Sequence, residues 1–423
     1  MKKSLVAIGL MSGTSMDGVD AALLKTDGEG LVERLGCIHT QYDKNFHLAL
    51  KIAEFAVRES RGKVDLDATT VKDFAVRYLL QKLAYPQTKL AQQLKELADS
   101  FASKDFPDLS MIVQRSTEYH INAAEEVRKQ FAAGLSIDCV GYHGQTLFYD
   151  PKQKVAAIVG DGALMAKRLG FKVVYQFRSN DLKHGGRGAP LAPIYHQALC
   201  RASKVAPAVV LNVGGIANPT VVGDKDGELW AFDAGPGNGL IDRFVRLKTE
   251  GRELIDALGA YGLKGVVNDK ALEALLKGSV ITSDGKNYVD LPPPKALDSG
   301  DFKLLDDVTA LSLNDGCRTL AAFTAECVVR GLKHTTIKQK IPSRMIVCGG
   351  GAKNKAILAE LLHRAHSVGV TRVQTADELG WNSSAIEAEL FAYLAVRSQK
   401  GLPITFPGTT GAPKALSGGV LCG

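Results

Sequence analysis

The chain has 423 residues, 45% hydrophobic and 23% charged, the composition of a globular protein too long for one core. Its net charge of +7 comes from scattered Lys and Arg with no basic run longer than Lys2-Lys3, which argues against a nucleic-acid partner. Seven widely spaced cysteines (Cys37, Cys139, Cys200, Cys317, Cys327, Cys348, Cys422) include no C-x-x-C pair, which excludes a disulfide framework or zinc site and predicts reduced thiols in a cytoplasm.

Lys2-Lys3 ahead of Leu5 to Met11 has the outline of a signal peptide, but no small-x-small cleavage site follows, so export is not expected. No apolar run approaches a membrane span, and no membrane partner is expected.

Leu5 to Leu10 and Val19 to Leu24 read as strands flanking GLMSGTSMDGVD, residues 9 to 20. Gly13 and Gly18, with Ser12, Thr14 and Ser15, can turn backbone and hydroxyl donors toward an anion, and Asp17 and Asp20 suit a phosphate carrying Mg²⁺. The alternative is a hairpin with a polar turn. The pattern is not a P-loop, which needs Gly-Lys-Ser/Thr. After Asp27-Gly28, Leu31 to Thr40 completes a three-stranded meander.

Apolar residues at helical spacing then predict helices over His47 to Arg58, Val71 to Lys82, Leu90 to Phe101 and Ile112 to Phe131. A strand, Ile137 to Tyr142, runs into His143-Gly144-Gln145-Thr146. His143 is either a base or a structural histidine; Gln145 and Thr146 are placed to position water or phosphate. Val155 to Val159 leads to Gly160-Asp161-Gly162, with a helix from Ala163 to Arg168. Phe171 to Phe177 empties into Arg178-Ser179-Asn180-Asp181 and Gly185-Gly186-Arg187-Gly188-Ala189-Pro190. Asp181 at a strand end beside a glycine loop is either a catalytic carboxylate or a cap paired with Arg178, Lys183 or Arg187.

The opening then repeats. Val209 to Val213 enters Gly214-Gly215, Thr220 to Val222 leaves it, and Leu229 to Phe232 follows the turn at Asp224 to Gly227. Two similar domains, each offering a hairpin to the same phosphate chain, are expected. Asp233-Ala234-Gly235-Pro236-Gly237-Asn238 precedes a helix from Leu240 whose first turn can face an anion. Further helices are predicted at Glu253 to Leu258, Lys270 to Leu276 and Leu305 to Leu332, around a proline-rich linker or lid, Tyr288 to Phe302. Glu326 reads as an ordinary helical residue. Arg344 to Cys348 opens into Gly349-Gly350-Gly351 and a helix, Lys355 to His366, a place where a flat base can approach backbone. The last helix, Ala385 to Gln399, carries a capping box, Ser384 and Glu387, and the tail from Gly401 reads as a surface strap.

These motifs, in this order from about residue 5 to the tail, resemble the actin-like ATPase superfold and more closely the 1,6-anhydro-N-acetylmuramic acid kinases. The carriers are GLMSGTSMDGVD (9 to 20), HGQT (143 to 146), GDGA (160 to 163), FR-x-x-D (177 to 181), GAPL (188 to 191), NVGGIAN (212 to 218), FDAGPGN-x-x-ID (232 to 242) and CGGGAKN (348 to 354).

The resemblance implies an α/β fold of two actin-like domains, 1–203 and 204–398, about a central cleft that closes on its ligands, with a strap at 399–423. It implies phosphorylation of O6 of the anhydro-amino-sugar by ATP with Mg²⁺ while water opens the bridge at C1, in cell-wall recycling, by a cytoplasmic homodimer. Asp181 matches the catalytic base, and Glu326 looks like the glutamate near the sugar. Nucleotide contacts fall on Gly13, Thr14, Ser15, Met16, Asp17, Gly18, Val19, Asp20, Asn212, Gly214, Gly215, Asp233, Gly235, Gly237, Asn238, Gly349 and Gly350, and sugar contacts on His143, Gly144, Gln145, Thr146 and Arg178. Asp17 and Asp233 would reach the metal through water. Arg187, where the family commonly has Gln, and Leu147-Phe148-Tyr149-Asp150 depart from its pattern near the expected sugar pocket.

Overall fold

A computed structural model describes residues 3–13, 15–103, 105–150, 153–225, 227–282, 285–296, 302–334 and 341–423. The chain forms two compact units. The first opens with β1 (Leu5–Ser12), β2 (Gly18–Thr26) and β3 (Val32–Gln41), an antiparallel meander whose first strand is a nearly continuous buried run. Such a run suits a strand covered on both faces.

Helices α1 (Lys44–Glu59), α2 (Ala68–Arg77), α3 (Leu90–Ser100) and α4 (Leu109–Phe131) follow. Asp43, Asp67 and Asp108 cap the first, second and fourth by accepting from backbone N–H groups, which satisfies donors the helix itself leaves open.

The strand expected to end at Tyr142 instead runs on through HGQT as β4 (Cys139–Asp150), because β5 (Val155–Val159) folds back and pairs with its second half. Then come α5 (Gly162–Leu169), β6 (Lys172–Tyr175) and the short α6 (Ser179–Lys183).

The second unit begins with α7 (Pro193–Ala202) and repeats the meander as β7 (Ala208–Val213), β8 (Ile216–Val222) and β9 (Leu229–Ala231). β10 (Gly235–Pro236) precedes α8 (Gly239–Lys248). The helix expected over Glu253 to Leu258 is absent; only a 3₁₀ turn, Ala257–Gly259, forms, with Leu258 at φ 56°. Next are α9 (Asp269–Gly278), α10 (Asp306–Thr309) and α11 (Leu313–Lys333); the last two were expected as one helix, but Ser312 caps a new start. The proline loop from Tyr288 is described except at 297–301. β11 (Arg344–Cys348), α12 (Lys355–Ala365) and β12 (Arg372–Thr375) complete the sheet, in the order β10-β8-β7-β11-β12 with β9 beside β8.

The chain then rejoins the first unit as α13 (Ile386–Gln399), visits the second as α14 (Pro407–Thr410), and ends in the first as β13 (Val420–Cys422). The first sheet therefore runs β13-β6-β4-β1-β2-β3, with β5 beside β4. β4 and β6 continue it in parallel from β1, just as β11 and β12 continue the second sheet from β7. Both units thus carry the three-stranded meander expected from the repeated sequence pattern, each continued by parallel strands.

α13 belongs with the first sheet because two glycines let it lie there. A Cβ on Gly9 would come 1.9 Å from Ala388 O, and one on Gly141 2.0 Å from Phe391 O. No local pattern predicts that close approach. The capping box is absent too: Ala385 is the N-cap and no side chain caps the helix.

Candidate functional site

In the first unit the turn after β1 is braced from below. Ser12 Oγ donates to Gln145 Oε1 (2.7 Å), Tyr42 OH donates to Ser12 Oγ (3.0 Å), and Gln145 Nε2 donates to Gly13 O (3.3 Å). Gln145, expected at the sugar, is fully buried in this brace. Met16 adopts φ 58°, a conformation L side chains rarely take; its carbonyl accepts from His47 Nδ1 at 2.6 Å and its side chain is buried. Gly18 is dictated by packing, since a Cβ would lie 2.4 Å from Thr40 O, and Val19 belongs to the core.

The turn exposes Ser15 and Asp17, joined by a 2.8 Å hydrogen bond. Thr14 lies outside the described residues. Asp20 receives His39 at 2.8 Å, and burial raises its pKa against that pull.

On the same sheet, β6 delivers Arg178 and Asp181. Asp181 is 1% exposed, and its Oδ2 accepts from Gly188 N–H at 2.7 Å. The glycine loop is shaped around it: a Cβ on Gly186 would sit 2.0 Å from Oδ2. Arg178 donates to Gly188 O (2.8 Å) and to His143 Nε2 (3.1 Å). His143 Nδ1 bonds Gly144 O at 2.9 Å, so the ring reads as the Nδ1–H tautomer with Nε2 accepting from the guanidinium. Burial first, and Arg178 second, hold its pKa well below the usual value. His143 thus braces Arg178 as a neutral ring. Gly144 takes φ 82°, its missing Cβ leaving room for Val159 O. Thr146 lies in the paired part of β4.

Sequence reasoning missed Glu387. It is exposed in the first turn of α13; desolvation by its neighbours raises its pKa, Asp20 adds to the rise and Arg178 opposes it. The signal was in the sequence but was read as half of a capping box.

The second unit gathers its candidates at the carboxyl ends of β7 and β11. Gly237 N–H donates to Gly215 O (2.9 Å) and Asn238 N–H to Gly214 O (2.7 Å), which seats the loop before α8 on the glycine turn. A Cβ on Gly237 would lie 2.3 Å from Gly214 O. Gly349, at φ 77°, leaves a Cβ-sized gap filled by Asn212 Oδ1, and Gly350 faces Asn238. Gly235 packs on Cys327. Strand ends lined by glycine and amide side chains are where open α/β sheets hold ligands.

Asp233 receives Asn218 Nδ2, its carbonyl accepts from Tyr288 OH (2.8 Å), and its N–H donates to Lys295 O (3.0 Å). Asp17 in the first unit and Asp233 in the second are each carboxylates of the type Mg²⁺ takes, one or two at a time with its waters kept.

Glu326 lies in the second unit, in mid-α11, with its carboxylate shared by Arg330 (3.4 Å) and Arg364 (3.5 Å). Those arginines also hold Asp290 and Glu360. Glu387, in the first unit, lies within the electrostatic reach of Arg178.

The sequence profile described as anhydro-N-acetylmuramic acid kinase matches residues 59–422. A protein of that name from Rhodospirillum rubrum is 40% identical over 413 residues, covering 98% of this chain and 93% of the relative. One from Rhizorhabdus wittichii is 38% identical over 424 residues, covering 98% of both. A solved xylulose kinase from Lactobacillus acidophilus matches 94% of this chain and 89% of its own at 11% identity and a TM-score of 0.38, a likeness that decides nothing. Among the described residues, no helix is long and apolar enough to cross a membrane.

Proposed function

The chain belongs to the anhydro-N-acetylmuramic acid kinase family, and on that premise we propose that it phosphorylates O6 of 1,6-anhydro-N-acetylmuramic acid with ATP while water opens the anhydro bridge. The product is N-acetylmuramic acid 6-phosphate, and the reaction belongs to cell-wall recycling.

In this reading Asp181 takes a proton from water as the water oxygen bonds C1. The C1–O6 bond breaks, O6 bonds the γ-phosphorus, and ADP leaves. Capture by the phosphoryl group spares O6 from departing as a bare alkoxide. Arg178 faces the sugar, held by His143 and Gly188, with Glu387 in its electrostatic reach. We assign to Glu387, rather than Glu326, the role of second carboxylate at the sugar. The turn at Gly13 to Asp17 and the loop of Gly214, Gly215, Gly237 and Asn238 serve the phosphates, and Gly349-Gly350 the adenosine. Mg²⁺, bound through water by Asp17 and Asp233, would supply charge neutralisation on the phosphates. The repeated meander supports the actin-like superfold, and the widely spaced cysteines without a C-x-x-C pair support a cytoplasmic enzyme, which we read as a homodimer.

The observation that carries the proposal is the buried Asp181 carboxylate, oriented by Gly188 N–H beside a braced arginine. An ADP-release assay across 1,6-anhydro-N-acetylmuramic acid, 1,6-anhydroglucose, glucose and N-acetylmuramic acid tests it. Turnover should require the 1,6-anhydro bridge. Equal or faster turnover of free hexoses would overturn it.

A further inference from the structure

The last residues of the chain run along the strand that feeds the Asp181 turn. β13 pairs antiparallel with β6 through Val420 and Tyr175, Leu421 and Val174, and Cys422 and Val173. Before it, Leu416 exchanges backbone hydrogen bonds with Thr405, and Ser398 Oγ of α13 donates to Gly418 O. Between these anchors, Asn180 Nδ2 donates to Ser417 O at 2.7 Å.

The fit is close. A Cβ on Gly418 would lie 2.9 Å from Phe177 O, and one on Gly419, at φ 89°, 2.5 Å from Val174 Cγ1. α6 is only five residues long, too short to fix its own direction. Its position comes from its flanks: β6 before it, the Gly185–Gly188 loop after it, and the strap beside it. Asn180 is adjacent to Asp181 and spends its side-chain donor on the strap.

We infer that the C-terminal strap is part of the catalytic apparatus, and that Asn180 is the positioning residue through which it holds the Asp181 turn. This rests on the reading of Asp181 as the base.

The test uses the full-length protein with Asn180→Ala, measuring turnover of 1,6-anhydro-N-acetylmuramic acid, ATP affinity, Tm and amide hydrogen exchange. A displaced general base costs rate more than binding, so kcat should fall about 10- to 100-fold with sugar KM, ATP Kd and Tm little changed. Faster exchange should be confined to residues 176–188 and 416–420. Asn180→Asp, which replaces a donor with an acceptor, should lose at least as much, and Asn180→Gln should recover part. With the strap displaced by Gly419→Val, adding Asn180→Ala should cost little more, because residues acting in one contact are not additive.

Wild-type kcat and exchange in Asn180→Ala would overturn the inference while leaving Asp181 as base, provided Asp181→Asn is inert. Loosening throughout the unit with a lowered Tm would also overturn it. An active Asp181→Asn would instead overturn the reading of the base, and the exchange pattern would still decide whether the strap holds the turn.

Discussion

His143 Nε2 lies 3.1 Å from the Arg178 guanidinium and accepts its hydrogen bond, so a histidine that reads as a candidate base spends its lone pair on an arginine. A second proton would set imidazolium against guanidinium in a buried place, and the ring stays neutral. Its folded pKa is lowered, so it contributes stability above the unfolded pKa, and that stability is lost as pH falls below about 6.5.

His143→Gln should therefore leave the acid limb of the kcat/KM profile where it is. It should raise the sugar KM by roughly tenfold, the worth of one charge-assisted hydrogen bond. A shift of the acid limb would show that His143 titrates in catalysis.

Glu387 and Glu326 separate cleanly. Glu387→Gln should lower kcat on the order of 100-fold, the scale of a lost acid–base or orienting carboxylate, with ATP affinity kept. Glu326→Gln, in a partly exposed ion-pair network, should cost about 1 kcal/mol or less of stability and leave kcat near normal. Steady-state kinetics of the two variants decide, and the reverse pattern would return the role to Glu326.

Much of this was legible in the chain. Alternating apolar residues and glycine turns declare both meanders, since strand periodicity and turn chemistry are local properties. The glycine turns after β1 and β7, Asp181 beyond β6 and the Gly349 loop after β11 lie where the same local patterns put them. What was hidden depends on distant parts of the chain. β4 runs through HGQT only because β5 pairs with it, and Gly144 supplies the φ of 82° that lets Val159 O approach. Residues 253–258 have helical spacing, but Leu258 at φ 56° breaks it. Glu387 sits in a perfectly ordinary capping pattern. Only the placement of α13 on Gly9 and Gly141 brings it within the electrostatic reach of Arg178.

That placement is testable. Gly141→Ala puts a Cβ against Phe391 O, and backbone cannot yield as a side chain can. The variant should lose about 1 to 3 kcal/mol of stability, the usual cost of overpacking, and should lose activity beyond what its folded fraction explains, as Glu387 shifts. Denaturation midpoints with kcat per folded molecule check this. Full activity would mean that α13 does not position Glu387.

Asp181→Asn keeps the shape and the Gly188 bond but removes the proton acceptor. It should bind ATP normally and turn over roughly 100- to 10,000-fold more slowly. Calorimetric nucleotide titration beside kinetics checks both halves; near-normal turnover would remove Asp181 from the role of base.

The most direct test follows the oxygen of water. In ¹⁸O-labelled water the reaction should place label at the anomeric hydroxyl and none in the phosphoryl group, because water bonds C1 while O6 takes the phosphoryl. Anomeric exchange requires rapid trapping, and the first product seen by NMR should be a single anomer, inverted at C1. A phosphorylated product that keeps its bridge, or label in the phosphoryl group, would contradict the coupled mechanism.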